Sequence, residues 1–193
     1  MGPRRPRPPA WLLLVLVVLA GVAVAAPPRV RIETSAGNIV VQLDAERAPL
    51  SVKNFLQYAA DGFYTGTIFH RVVTGFIIQG GGYQEDLSLK PARAPIANES
   101  GNGLANHRGT IAMARSAEPH SADAQFYFNL ADNVALDPKP TRWGYAVFGT
   151  VVEGMDVIDE IGHRATTSRD DLADVPVQPV VIRKVVVLPD PGS

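Results

Sequence analysis

A chain of 193 residues that is 46% hydrophobic and 19% charged holds enough apolar material for one closed core, and a single domain is the expectation. Its formal charge of −1, with no Lys or Arg cluster after the first seven residues, provides no basic face to neutralise phosphates and so excludes nucleic acid as an expected partner. The absence of cysteine excludes a disulfide framework and a lipid-modified cysteine behind a leader.

The first element is a leader. Arg4, Arg5 and Arg7 precede 17 residues, Ala10 to Ala26, without a charged or polar side chain, and the small residues Ala23 and Ala25 form an A-x-A site. Cleavage after Ala25 predicts residues 1–25 as a signal peptide and 26–193 as the mature domain. Fifteen basic against 19 acidic residues then remain, a charge near −4. The expectation is an acidic, soluble, periplasmic chain, with full secretion as the alternative, and no stable membrane association after cleavage. The competing reading is an uncleaved anchor, since 17 apolar residues reach the lower edge of a spanning helix.

Arg29 to Glu33 and Ile39 to Leu43 are β-rich runs around the turn residues Thr34-Ser35-Ala36-Gly37-Asn38, which predicts an opening hairpin. Pro49 to Ala60 carries Val52, Phe55, Leu56 and Ala59 at helical spacing, with Pro49 near the start and Gly62 beyond the end. Short strands are predicted at 67–72, 76–79, 110–115, 125–130 and 145–151. A second helix follows over about 153–161, and the β-branched run 180–188 closes the chain. Residues 81–106 and 116–124 lack periodicity and are predicted as long functional or mobile loops. Many short strands with two isolated helices predict a mainly β fold, a closed antiparallel barrel capped by helices.

The run Phe69-His70-Arg71-Val72 followed by Gly75-Phe76-Ile77-Ile78-Gln79-Gly80-Gly81 resembles the signature of the cyclophilins. Gly109-Thr110-Ile111-Ala112-Met113-Ala114-Arg115, Gln125-Phe126-Tyr127 and Tyr145-Ala146-Val147-Phe148-Gly149 then match in order. The segments Thr34 to Ile39 and Pro179 to Ile182 are similar to those of exported bacterial members, and the resemblance covers about 29–188. It implies an eight-stranded antiparallel barrel with a helix at each end, and peptidyl-prolyl cis-trans isomerisation on the outer barrel face, without cofactor or metal. It also implies that Arg71 is catalytic and that Phe76, Ile77, Gln79, Gln125, Tyr127 and Leu136 line a proline pocket. The backbone around Ala114 and Arg115 would hold the substrate chain, with Tyr145 at the same site. The implied partners are proline-containing unfolded or flexible polypeptides, which a monomer would serve while they fold after export.

The chemistry suits these residue types. Rotation about a peptide bond is opposed by ~18–20 kcal/mol because the nitrogen lone pair is shared with the carbonyl. A guanidinium near the prolyl nitrogen can attract that lone pair as the amide twists, while an apolar socket holds the ring, so no covalent nucleophile is needed. Removing about 7 kcal/mol would accelerate the rotation on the order of 10⁵-fold. Strand alternation puts Ile77 with Gln79 and Gln125 with Tyr127 on one face. It likewise pairs Phe69 with Arg71 and turns His70 away, unless the backbone is bulged there.

Three positions depart from the family pattern. Tyr127 stands where phenylalanine is common, so its hydroxyl needs a partner. Ala135 stands where cyclosporin-sensitive members have tryptophan, so weak cyclosporin binding is expected, with Trp143 in a loop lengthened by Pro138-Lys139-Pro140. Tyr145 replaces a frequent histidine. Rival chemistries find little support. No G-x-S-x-G elbow exists, and His70, His107, His120 and His163 show no ligand-pair spacing. Gly80-Gly81-Gly82 lacks the nucleotide-loop pattern. The alternative function is a non-catalytic module or chaperone that holds proline segments in the same groove.

Overall fold

Alternation of apolar and polar residues dictates the first hairpin. In β1 (Arg29–Thr34) Val30 and Ile32 are fully buried, and they face Val41 and Ile39 of β2 (Asn38–Leu43). The turn is closed by Thr34, whose hydroxyl accepts from the backbone N–H groups of Ala36 and Gly37 at 3.0 and 3.1 Å. The computed structural model describes Gly2 and residues 26–189, so the predicted leader, including Ala25, lies outside the described residues apart from Gly2.

Helix α1 (Pro49–Ala60) follows, with proline in its first turn and no side-chain cap from the preceding residue. Its free N–H groups are met from elsewhere. The Glu99 carboxylate accepts from the backbone of Leu50 and Ser51 at 2.9 and 2.7 Å and from the Ser51 hydroxyl at 2.6 Å. A negative charge is thereby set at the positive end of the helix. The helix buries Val52, Phe55 and Tyr58 against one end of the barrel, where the Phe55 ring lies 5.1–5.5 Å from those of Tyr64, Phe126 and Phe148.

The remaining barrel strands are β3 (Thr67–Val73), β4 (Ile77–Gln84), β5 (Thr110–Met113), β6 (Phe126–Asn129), β7 (Val147–Glu153) and β10 (Ile182–Val187). Their order around the sheet is β10-β1-β2-β7-β5-β6-β4-β3. The first and last strands meet through an Ile68–Val181 bridge and through bonds from Phe69 N to Val180 O (3.0 Å) and Gly66 N to Ile182 O (2.9 Å). Closure leaves no long unpaired edge between them. Helix α2 (Met155–Gly162) plugs the other end with buried Ile158 and Ile161. The mainly β, eight-stranded antiparallel barrel with two helices is as the sequence predicts.

Several boundaries differ. Strand β4 runs on to Gln84 through Gly81 and Gly82, which were predicted as the start of a loop, and its register with β3 shifts there, with Phe69 paired to Gly80 and Thr67 to Gln84. The strand predicted over 110–115 ends at Met113, and that over 145–151 is shifted to 147–153. A second hairpin, β8 (Thr166–Arg169) with β9 (Leu172–Pro176), is new. All four β8 residues are exposed and show no alternation, so no hydrophobic pattern marks them. The hairpin is anchored by Val175, which is 1% exposed, and it leans on β3.

Candidate functional site

The barrel buries two apolar clusters, one inside and one on its outer wall. The inner one includes Phe69, Val72, Ile78, Phe126, Phe128 and Phe148. The outer one is Ile77, Ala112, Ala114, Tyr127 and Val147, with Phe76, Leu104, Leu136 and Tyr145 packed upon it. Period-2 alternation produces this division: Ile78 and Phe126 point in, whereas Ile77, Gln79 and Tyr127 point out.

Strand register sets the outer residues in a row. Arg71 pairs with Gln79, Gln79 with Tyr127, Tyr127 with Ala112, and Ala112 with Val147, one residue from each of five adjacent strands. Gln79 Nε2 donates to Gln125 Oε1 at 3.1 Å, which joins two predicted site residues above Tyr127. An added Cβ at Gly82 would lie 2.6 Å from the Gln125 side chain, so this glycine makes room for it.

The predicted face of Phe69 requires correction. Phe69 pairs with Gly80 and Arg71 with Gln79, two steps on β3 for one on β4, so His70 is the extra residue of a bulge. Phe69 therefore packs in the core, its ring 6.2 Å from Phe126, while Arg71 faces outward and is half exposed. His70 is buried against Tyr83, with ring centres 4.5 Å apart and Nδ1 unpartnered. Burial, opposed by a backbone hydrogen bond and assisted by the Arg71 charge, lowers its pKa to about 4.

Tyr127 forms the floor of the socket, with Phe76, Ile77 and Leu136 around it. Its hydroxyl, the departure noted above, donates to Asn106 Oδ1 at 2.7 Å. Burial pushes this phenol well above its ordinary pKa. Asn106 also donates to Asp137 Oδ1 (2.9 Å) and accepts from Asn129 (3.2 Å). Asn129 donates to Thr110 Oγ1 (2.9 Å) and accepts from Asn133 (2.7 Å), which in turn donates to the Phe76 carbonyl (2.9 Å). The walls of the socket are thus tied from behind, since Asn133 O also accepts from Leu136 N at 2.8 Å. None of these asparagines was foreseen as part of the site. The one signal was the unexplained hydroxyl of Tyr127.

Arg115 is a brace. Its guanidinium lies 4.4 Å from the Tyr145 ring centre and donates to the carbonyls of Gly144 (3.1 Å), Ser116 (2.8 Å) and Trp143 (2.9 Å). Tyr145 in turn meets Tyr127 edge-on at 5.9 Å. The Ala114 N–H donates to Gln125 O at 2.9 Å, which ties the end of β5 to the residue before β6. Gln79, Ala114, Arg115 and Gln125 line a cleft of about 270 Å³ beside the socket. The Trp143 ring meets that of His120 edge-on at 5.0 Å, and the residue is 46% exposed.

Comparison with known proteins places this geometry. Residues 29–187 match the model of the cyclophilin type peptidyl-prolyl cis-trans isomerases. The chain is 48% identical over 166 residues to peptidyl-prolyl cis-trans isomerase A of Dickeya dadantii, covering 86% of this chain and 87% of that protein. It is 52% identical over 162 residues to a peptidyl-prolyl cis-trans isomerase of Streptomyces antibioticus, covering 82% and 98%. The crystal structure of a cyclophilin type isomerase of Cryptosporidium parvum superposes with a TM-score of 0.71 at 25% identity, over 86% of this chain and 99% of that one. The chain belongs to the cyclophilin-type peptidyl-prolyl cis-trans isomerase family.

Proposed function

We propose that this protein isomerises X-Pro peptide bonds on the outer barrel wall, with Arg71 as the catalytic residue. The observation that carries the reading is the row from Arg71 through Gln79 and Tyr127 to Ala112, which sets a guanidinium, an amide and an apolar floor on successive strands. Strands lie ~4.8 Å apart, so the row spans about 14 Å, the length of a prolyl residue with the residues that flank it. The proline ring enters the socket of Phe76, Ile77, Tyr127 and Leu136. The Ala114 carbonyl and the Gln79–Gln125 pair hold the flanking backbone. Arg71 then meets the nitrogen lone pair that the twisting amide releases, a charge interaction made in the twisted state and absent in either planar one.

The leader from Met1 to Ala25 supports export, with the clients being exported polypeptides that fold in the periplasm. Addition of residues 26–193 to a protease-coupled assay on a proline tetrapeptide tests the activity: catalytic acceleration of cis-to-trans conversion is expected, and none would overturn it. N-terminal sequencing of the protein recovered from the periplasm should read from Ala26. A membrane-bound form retaining Met1 would instead favour an anchor.

A further inference from the structure

The β8–β9 hairpin carries an unusual residue. Asp174 has a φ of +60°, a left-handed conformation that non-glycine residues adopt at a cost and that concentrates at functional positions. Its position explains the conformation. Thr167 pairs with Val175 and Arg169 with Leu172, two steps on β8 against three on β9, so β9 is bulged between Leu172 and Val175. Bulges re-aim side chains. This one turns the Asp174 carboxylate toward the barrel, where Oδ2 lies 3.5 Å from Nε of Arg71. Val175, 1% exposed, and buried Pro176 fix the hairpin immediately beyond it.

We propose that Asp174 is a positioning residue for Arg71. This rests on the reading of Arg71 as catalytic. Two bulges converge on the same pair: that at His70 turns Arg71 out of the barrel, and that on β9 brings a carboxylate to meet it. An arginine side chain half exposed to solvent samples many rotamers, and the amide nitrogen of its cross-strand neighbour Gln79 is directed to Gln125. Asp174 is the ion-pair partner of Arg71 among the described residues. The approach is through Nε, so the two terminal nitrogens, with four of the five N–H donors, stay uncommitted for the substrate.

The pair is half exposed on both sides, so its contribution to folding is small and its effect falls on the orientation of Arg71. Asp174→Asn removes the charge and keeps a residue that tolerates positive φ; Asp174→Gly removes the side chain and relieves the strain. In both variants kcat is expected to fall about fivefold, about 1 kcal/mol at 1.36 kcal/mol per tenfold, with KM and Tm little changed. In NMR spectra the Nε–H signal of Arg71, identified by its loss in Arg71→Lys, should be sharp in the native chain and broadened in either variant. Unaltered or increased turnover in Asp174→Gly, or an Arg71 signal indifferent to Asp174, would overturn the inference. An active Arg71→Ala chain would remove the reading beneath it, whatever the Asp174 variants do.

Discussion

Asn106 sits behind the socket and bonds what would otherwise be the most costly atom in it. Tyr127 is 2% exposed, and its hydroxyl reaches Asn106 Oδ1 at 2.7 Å. In Asn106→Ala that hydroxyl is stranded in an apolar wall at ~1–3 kcal/mol. The small void and the lost bond to Asp137 bring the expected loss to about 3 kcal/mol. At ~2–4 °C per kcal/mol for a domain of this size, Tm should drop by ~6–12 °C. Tyr127→Phe alone should cost at most ~1.5 kcal/mol, since Asn106 keeps Asn129 as a donor at 3.2 Å. The informative variant is the double one. With the hydroxyl gone, Asn106→Ala strands nothing at that position, so the pair should be ~1–2 kcal/mol more stable than the sum of the single losses. Urea unfolding of the four proteins measures this directly. Additivity within ~0.5 kcal/mol would refute the coupling and the view that the asparagine network supports the floor.

Other consequences are separately measurable. The folded state holds His70 neutral down to about pH 4 against an ordinary value of 6.5. The unfolded chain therefore binds more protons between these values, and stability should fall as pH is lowered from about 6.5 to 4, at up to ~1.4 kcal/mol per pH unit. NMR titration of the His70 ring, with unfolding curves at several pH values, checks both the shift and its sign. Glu99→Ala should cost about 2 kcal/mol of thermal stability by uncapping α1, and hydrogen exchange should speed at Leu50 and Ser51, its bonded amides. Cyclosporin should inhibit poorly, because Ala135 offers no aromatic contact and Trp143 is turned onto His120. Ala135→Trp should tighten inhibition about tenfold or more in a competition assay.

Legibility from the sequence divided along physical lines. Helix α1 was predicted with its observed bounds, because Pro49 starts it and Val52, Phe55 and Ala59 recur at 3.6-residue spacing. The pairs Ile77 with Gln79 and Gln125 with Tyr127 followed from alternation alone. Alternation failed at Phe69 and Arg71, where His70 adds one residue to the strand, a shift that belongs to the pairing with β4 and leaves no mark in the sequence of β3 itself. The β8–β9 hairpin was invisible because its side chains are polar and exposed, and it took Asp174 with it. The asparagines behind Tyr127 were missed for another reason. Asn106, Asn129 and Asn133 are brought together by pairings and turns across separate segments, and a buried polar residue is recognisable only once its partners are placed. Glu99, 48 residues from the Ser51 it bonds, belongs to the same class.

The most direct test of the central claim is the isomerisation rate of Arg71→Ala beside its thermal melt. The side chain is half exposed and outside both apolar clusters, so its removal should leave the barrel folded with Tm nearly unchanged. Isomerisation on a proline tetrapeptide should fall at least about a hundredfold, equivalent to ~2.7 kcal/mol of lost transition-state stabilisation, and Arg71→Lys should recover little of it because an ammonium lacks the planar donor array. Near-native turnover by a folded Arg71→Ala chain would contradict the account and leave the groove as a holder of proline segments.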